Sequence, residues 1–308
     1  MNYHLFGKTL GMLRKQQGIT QEKLCDGIIE PDAMSKIERG VHGVSKEKMD
    51  LLLGRLGHVA KRFFPYPLTT DELTVFNIRD EFSRLDENAD LDKKKELVEA
   101  MEDPQGLFST GLHRQFLLKC KAMILMKENG DADDIKALLD DAVRITLPNF
   151  NERLVSTYLL GNDDMEIIAM MAQLAYREGE KDSAITLLTK LVESIEKHYV
   201  DENEKARSLT FVMYSLSRYL GLMERYSEGL LVCEKAIEAG VKNRAYGFLP
   251  LLKYNQAYCL YYLGEREPGE VAMLVNEAYY ACKVHGKHTL SINIKRHAKE
   301  MFYVDVAG

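Results

Sequence analysis

The sequence predicts an all-α protein, a compact bundle of short helices followed by a long array of antiparallel helix pairs. Three observations lead there. Glycine and proline together make up only 28 of the 308 residues, whereas turn-rich β proteins draw on both for punctuation. Apolar residues recur at helical spacing along most of the chain. Three stretches of the carboxy-terminal half repeat one pattern, two helices whose facing small residues stand 12 apart. At roughly 150 residues per domain the length suggests two domains, and 46% hydrophobic with 29% charged residues is ordinary globular composition, not that of a disordered chain.

The elements follow in order. Leu5, Leu10, Leu13 and Ile19 form the apolar stripe of a first helix ending near Gly18, a residue suited to a left-handed cap. Thr20 caps a short second helix that opens on Gln21, with Lys23 where a capping-box Glu could stand. After a turn over 27–31, Pro31 suits the first position of a third helix, in which Met34 and Ile37 face inward and which Gly40 ends. Ser45 caps a helix over 46–56 with Met49, Leu52, Leu53 and Leu56 on one face. Two prolines, Pro65 and Pro67, then forbid helix continuation, so 64–70 reads as a linker between domains 1–63 and 71–308. Thr70 with Asp71 and Glu72 reads as a fresh helix start.

Charge divides along the same boundary. The net charge of −6 combines 11 Lys+Arg against 7 Asp+Glu in residues 1–63 with 30 against 40 in the remainder. A basic head on an acidic body is the pattern of a protein whose head alone meets a polyanion, although a small positive excess is also common surface chemistry.

Within the head, Ile19-Thr20-Gln21-Glu22-Lys23-Leu24-Cys25 followed by Met34-Ser35-Lys36-Ile37-Glu38-Arg39-Gly40 resembles the lambda-repressor-like (XRE) helix-turn-helix. Cys25 stands in the family's small-residue place, and Arg14 with Glu38 matches a pair that joins the first helix to the end of the recognition helix. The resemblance implies that the third helix enters the major groove of DNA while the second crosses the phosphate backbone. On that reading Gln21 positions a phosphate, and Asp32, Ala33, Ser35, Lys36 and Arg39 are the candidates for base or phosphate contact, Lys36 foremost. Glu30 and Asp32 place two carboxylates at the end of the helix nearest the groove, where capping and dipole pairing compete with a contact to cytosine. A single head should bind modestly, so two heads on a dimer are expected to read half-sites about one helical turn apart.

In the body, the pairs 165–179 with 182–195, 210–224 with 227–237 and 248–264 with 267–281 align on Ala172 and Ala184, Ser217 and Gly229, and Ala257 and Gly269. Small residues there let two helices approach closely. Tyr254-Asn255-Gln256-Ala257-Tyr258 and Glu224-Arg225-Tyr226-Ser227-Glu228-Gly229 resemble tetratricopeptide repeats, longer than the usual ~34 residues and therefore with extended helices. A weaker pair at 115–130 and 134–146 precedes them, 71–85 with 91–101 forms an opening pair, and a last helix over 290–303 caps the array. In the repeat family the ligand-facing positions of each first helix fall here on Ala169, Gln173, Tyr176 and Arg177, on Phe211, Tyr214 and Arg218, and on Tyr254, Tyr258, Tyr261 and Tyr262. Asn255 can donate and accept at once, as a peptide backbone requires, and its place in the repeat also suits a structural role. Aromatic rings with Gln173, Arg177 and Arg218 suit an extended peptide; repeat packing is the competing role for each tyrosine.

An XRE head joined to such a body resembles the Rgg/PlcR-type (RRNPP) group of peptide-sensing transcriptional regulators. That resemblance implies a cytoplasmic homodimer that binds an operator in double-stranded DNA and a short signalling peptide on the concave face of the repeats, the peptide altering the geometry of the two heads. A repeat groove that binds a host protein instead is the alternative.

Other classes find little support. No apolar run reaches the ~18 residues of a membrane helix, because Gln173, Arg177 and Lys121 interrupt the best candidates. Residues 1–15 lack a secretory signal pattern. The five cysteines, Cys25, Cys120, Cys233, Cys259 and Cys282, are odd in number and scattered through apolar stretches, as buried thiols are. Cys282, His285 and His288 approach zinc-ligand spacing without an obvious fourth partner, and no cofactor or metal is expected. There is no Gly-rich phosphate loop, zinc-protease His pair or nucleophile elbow, and Asp163, Asp164 and Glu166 sit where a helix start wants negative charge, so an enzyme is not expected.

Overall fold

A computed structural model describes residues 3–58, 69–85, 90–264 and 268–306. Among these the chain forms fifteen α-helices and one 3-10 turn, with no strand. The expected linker at 64–70 falls mostly on residues outside the described set.

The head comprises α1 (Tyr3–Gln16), α2 (Gln21–Cys25), α3 (Pro31–Glu38) and α4 (Lys46–Arg55). Its starts are capped as the sequence implies: the Thr20 hydroxyl accepts from the Lys23 amide at 3.1 Å, and the Ser45 hydroxyl from the Lys48 amide at 3.4 Å. Leu10, Leu24, Met34, Met49, Leu52 and Leu56 are fully buried and make one core with Phe6 and Ile37. Burying such side chains contributes about 1.5–3 kcal/mol each. The crossing of α1 over α3 is closest at Gly7, where a β-carbon would lie 1.8 Å from the Ile37 carbonyl oxygen. Only glycine fits there.

The body opens with α5 (Thr70–Arg84) and α6 (Leu91–Met101), then α7 (Gly111–Lys127) and α8 (Ala132–Thr146). The cap of α5 is Thr69, one residue before the expected Thr70; its hydroxyl accepts from the Glu72 amide at 3.1 Å. After a 3-10 turn (Glu152–Thr157) come the three aligned pairs. They are α9 (Asn162–Arg177) with α10 (Lys181–His198), α11 (Glu202–Leu222) with α12 (Tyr226–Lys242), and α13 (Leu249–Leu263) with α14 (Pro268–Val284). The closing helix is α15 (His288–Phe302). Helices of 18 and 21 residues in α10 and α11 account for the length of the repeats.

Ala172, Ala184, Ser217 and Ala257 are fully buried at the helix contacts. At Gly229 a β-carbon would meet the Cys259 Sγ at 2.9 Å and the Ser217 carbonyl oxygen at 3.3 Å, so this glycine serves the contact with the next pair as well as its own. Gly269 departs from the pattern. It is exposed with nothing near its missing side chain, and the third pair closes instead on Val271, Leu274, Val275 and Ala278.

Candidate DNA-binding and ligand-binding surfaces

The third helix, α3, is held by one ionic strut. Arg14 of α1 donates from Nε and Nη2 to the two carboxylate oxygens of Glu38 at 2.6 and 2.9 Å, and from Nη1 to the Ile19 carbonyl at 2.6 Å. Gln21 donates to the same carboxylate at 2.7 Å. Burial pushes the Glu38 carboxyl up, but the hydrogen bonds from Arg14 and Gln21 outweigh it and leave it below the ordinary carboxylate range. Three helices thus converge on one carboxylate, and the orientation of α3 is set by it.

The remaining candidates lie along α3 itself. Asp32 and Arg39 are exposed, and Ala33, Ser35 and Lys36 are half-buried. Lys36 donates to Asp32 one turn earlier at 2.8 Å, and that hydrogen bond holds the Asp32 carboxyl below its usual value. Arg39 Nε reaches the Ser35 carbonyl at 3.3 Å. The helix therefore presents a cation whose partner stands on the same helix. Gln21 differs from its expected role in one respect: its side chain is engaged with Glu38.

On the body, Gln173 of α9 and Arg218 of α11 occupy equivalent positions of successive first helices and are both exposed. Aromatic rings floor the space between first helices. Tyr176 stacks on Tyr219 with centroids 4.2 Å apart, and Tyr214 and Phe211 pack on Phe248 at 5.8 and 5.4 Å. Arg177 turns away from this shelf, donating to Glu178 at 3.0 Å and to the Gly130 carbonyl at 3.1 Å, where it braces the preceding repeat.

The third first helix holds its candidates differently. Asn255 is buried, and its amide donates to the Tyr214 carbonyl at 3.1 Å and the Ser217 hydroxyl at 2.9 Å, so its donors fasten α13 to α11 instead of facing a ligand. Tyr254 and Tyr258 are half-buried under the closing helix: the Tyr254 hydroxyl bonds His297, and Phe302 lies 5.8 and 6.2 Å from the two rings. Packing by α15 claims both tyrosines. Tyr262 stacks on Tyr226 of α12 at 5.1 Å and stays partly exposed.

Cys282 is buried in the carboxy-terminal core while His285 and His288 are exposed, and among the described residues no group of His, Cys, Asp and Glu is placed to hold a metal. No described helix is long and apolar enough to cross a membrane.

Sequence reasoning missed the seam where head meets body. Arg55, at the end of α4 and only 2% exposed, donates to the Leu24 carbonyl at 3.0 Å, the Asp26 carbonyl at 2.5 Å and, across the seam, the Thr146 carbonyl at 2.7 Å. Beyond it the Thr146 hydroxyl donates to Asp164, which also accepts from Gln115 at 2.9 Å and from the Gly161 amide at 2.9 Å, capping α9. Burial holds the Arg55 guanidinium below, and the Asp164 carboxyl above, its ordinary value. Leu159 of the body completes the head's core. Beside this lies a second cluster, in which Arg79 and Lys119 each reach Asp163 at 2.6 Å and Lys119 also pairs with Glu166. Burial opposes the charge of Asp163, and the two cations outweigh it, holding the carboxyl below its usual range. A cavity of about 590 Å³ opens between the two units, walled by Glu47 and Leu51 of α4, Phe76 of α5, His113 of α7 and Glu166 of α9. In sequence, Arg55 reads as no more than a cation in the last turn of a helix.

No family model matches the chain, and no curated protein matches it. Solved structures do. PlcR of Bacillus thuringiensis, crystallised with the peptide PapR7 and DNA, superposes with a TM-score of 0.63 at 18% identity over 94% of this chain and 99% of its own. The fold is shared with PlcR and with ComR. ComR of Streptococcus vestibularis in its apo form gives a TM-score of 0.54 at 15% identity over 99% and 100% of the two chains. ComR of S. thermophilus, in complex with DNA and its signalling peptide ComS, gives 0.52 at 16% over 94% and 97%. The likeness runs nearly end to end.

Proposed function

We propose that the chain is a sequence-specific DNA-binding transcriptional regulator whose repeats bind a short signalling peptide, acting as a homodimer in the cytoplasm. Residues 1–63 serve as the DNA-reading head, 64–70 as the linker and 71–308 as the ligand-binding and dimerising body. The observation that carries this reading is the presence on one chain of two surfaces. One is a braced recognition helix carrying Lys36 and Arg39; the other is a shelf of Tyr214, Tyr176 and Phe211 rings beside exposed Gln173 and Arg218. PlcR, which shares the fold, was crystallised with a peptide and DNA together.

On DNA, Lys36, Ser35 and Arg39 reach the groove or its phosphates, with Asp32 and Ala33 at the leading end of the helix and Gln21 beside the backbone. In the groove, rings offer contact area at low entropic cost and Arg218 can clamp a carboxylate. Selection of duplexes from a random library, followed by anisotropy titration of the winners, tests the reading. An inverted repeat should bind at least about tenfold more tightly than its half-site. Equal affinity for the two would overturn the two-headed mechanism, and failure to enrich any sequence would remove DNA recognition altogether.

A further inference from the structure

We propose that the seam between head and body is a proton-sensitive latch, closed while His113 and His198 are neutral and opened by their protonation. Both rings sit at that seam with one nitrogen buried and without a hydrogen bond, Nδ1 in His113 and Nε2 in His198. His198 ends α10. Just beyond it the Asp201 amide donates to the Gly57 carbonyl of the head at 3.2 Å, and Gly57 lies so close that a β-carbon there would meet the Tyr199 Cα at 2.7 Å. His113 stands on α7, with its Nδ1 3.6 Å from the Glu47 carboxylate of α4, too far for a hydrogen bond.

The groups around each ring decide what a proton does. His198 faces Lys23 of α2 and Lys197 of its own helix, two cations that oppose protonation, and has only a hydrogen bond to the Ser156 backbone in favour. Among the described residues neither lysine has an acidic partner, so an added charge there meets repulsion. Burial chiefly, then those cations, bring the His198 ring down to about 4. His113 faces Glu47 of α4, Glu72 and Arg79 of α5 and Asp163 of α9, with the Phe108 ring 5.9 Å away. Burial prevails over these carboxylates, of which Asp163 is already engaged by Arg79 and Lys119, and holds this imidazole too below its usual value.

Opening the seam returns both rings to water, where a histidine takes its proton near ~6.5. The closed form therefore binds fewer protons than the open one, and its stability is complete above about pH 6.5 and declines as pH falls through that value toward the closed-state pKa. For His198 alone, the interval from the free value down to about 4 makes opening about tenfold more favourable at pH 5.5 than at pH 7.5. His113 adds to this in the same direction. The latch works whether the groove takes a peptide or a protein.

The Asp201 amide reports closure directly, since its acceptor is across the seam. Hydrogen exchange of the full chain, followed by NMR and corrected for the intrinsic pH dependence of exchange, should show its protection falling about tenfold or more between pH 7.5 and 5.5. The amide of Leu188, deep in α10, should keep its protection over that range. His198→Gln should shrink the Asp201 response, and His198→Gln with His113→Gln should flatten it while Leu188 attests an intact body. A pH-independent Asp201 in the wild type, a response undiminished in the double variant, or a parallel loss at Leu188 would each overturn the latch.

Discussion

Replacing Arg55 tests the seam most severely. Its guanidinium makes three hydrogen bonds to carbonyls, two in the head and one in the body, at 2.5–3.0 Å with almost no water contact. Hydrogen bonds from a charged donor are worth about 1.5–3 kcal/mol each, and the cost of desolvating the cation, several kcal/mol, offsets most of that sum. Truncation does not recover the offset cleanly, because it leaves three carbonyls, two of them at buried bonds, short of a donor, removes the cation that offsets the charge of Asp164 and opens a void. Arg55→Ala should therefore lose about 3–5 kcal/mol. Arg55→Met fills the volume and leaves the carbonyls orphaned, so it should still lose about 2–3 kcal/mol. Urea unfolding of the full chain, followed by circular dichroism, measures both. The two losses differ by the cavity, and their common part is the polar contribution. An Arg55→Met protein within about 0.5 kcal/mol of wild type would show that packing alone holds the seam and would refute this reasoning.

Other perturbations address the head and the groove. Gly7→Ala places a methyl 1.8 Å from the Ile37 carbonyl oxygen and should destabilise the head by about 1–3 kcal/mol in thermal melts, with an unchanged melt excluding this crossing of α1 and α3. Lys36→Ala should weaken binding to the selected DNA by about 1–3 kcal/mol without changing stability; an unaltered affinity would take Lys36 off the interface. Affinity should also fall steeply with salt, as counterion release requires. Arg218→Ala and Tyr214→Ala should leave DNA binding by the free protein intact and abolish its response to ligand, and normal responses in both would move the groove elsewhere.

The parts of the fold that follow local rules were legible in the sequence. Helix caps at Thr20 and Ser45, the start at Pro31 and the small residues at 172, 184, 217, 229 and 257 each act on neighbours within a turn or across one hairpin, and the structure places them as expected. The Arg14–Glu38 strut was legible for another reason, since a known motif prescribes both partners. What escaped depends on distant packing. Whether Tyr254 and Tyr258 face a ligand or a helix is decided by Phe302 and His297, more than 35 residues later, and whether Asn255 is free depends on two groups of α11. Gly269 copies the repeat spacing, yet its neighbours along α14 make the contact instead. The seam was hidden most completely: Arg55 and Thr146 lie 91 residues apart and neither belongs to a recognisable pattern.

The central claim is that a two-headed regulator carries a peptide in its repeats, and native mass spectrometry of the protein purified from its own host tests it most directly. The expected species is a dimer with an added mass of one peptide of about five to ten residues per chain, released on activation in the gas phase. A monomer, or a dimer reproducibly carrying a host protein and no peptide, would contradict it.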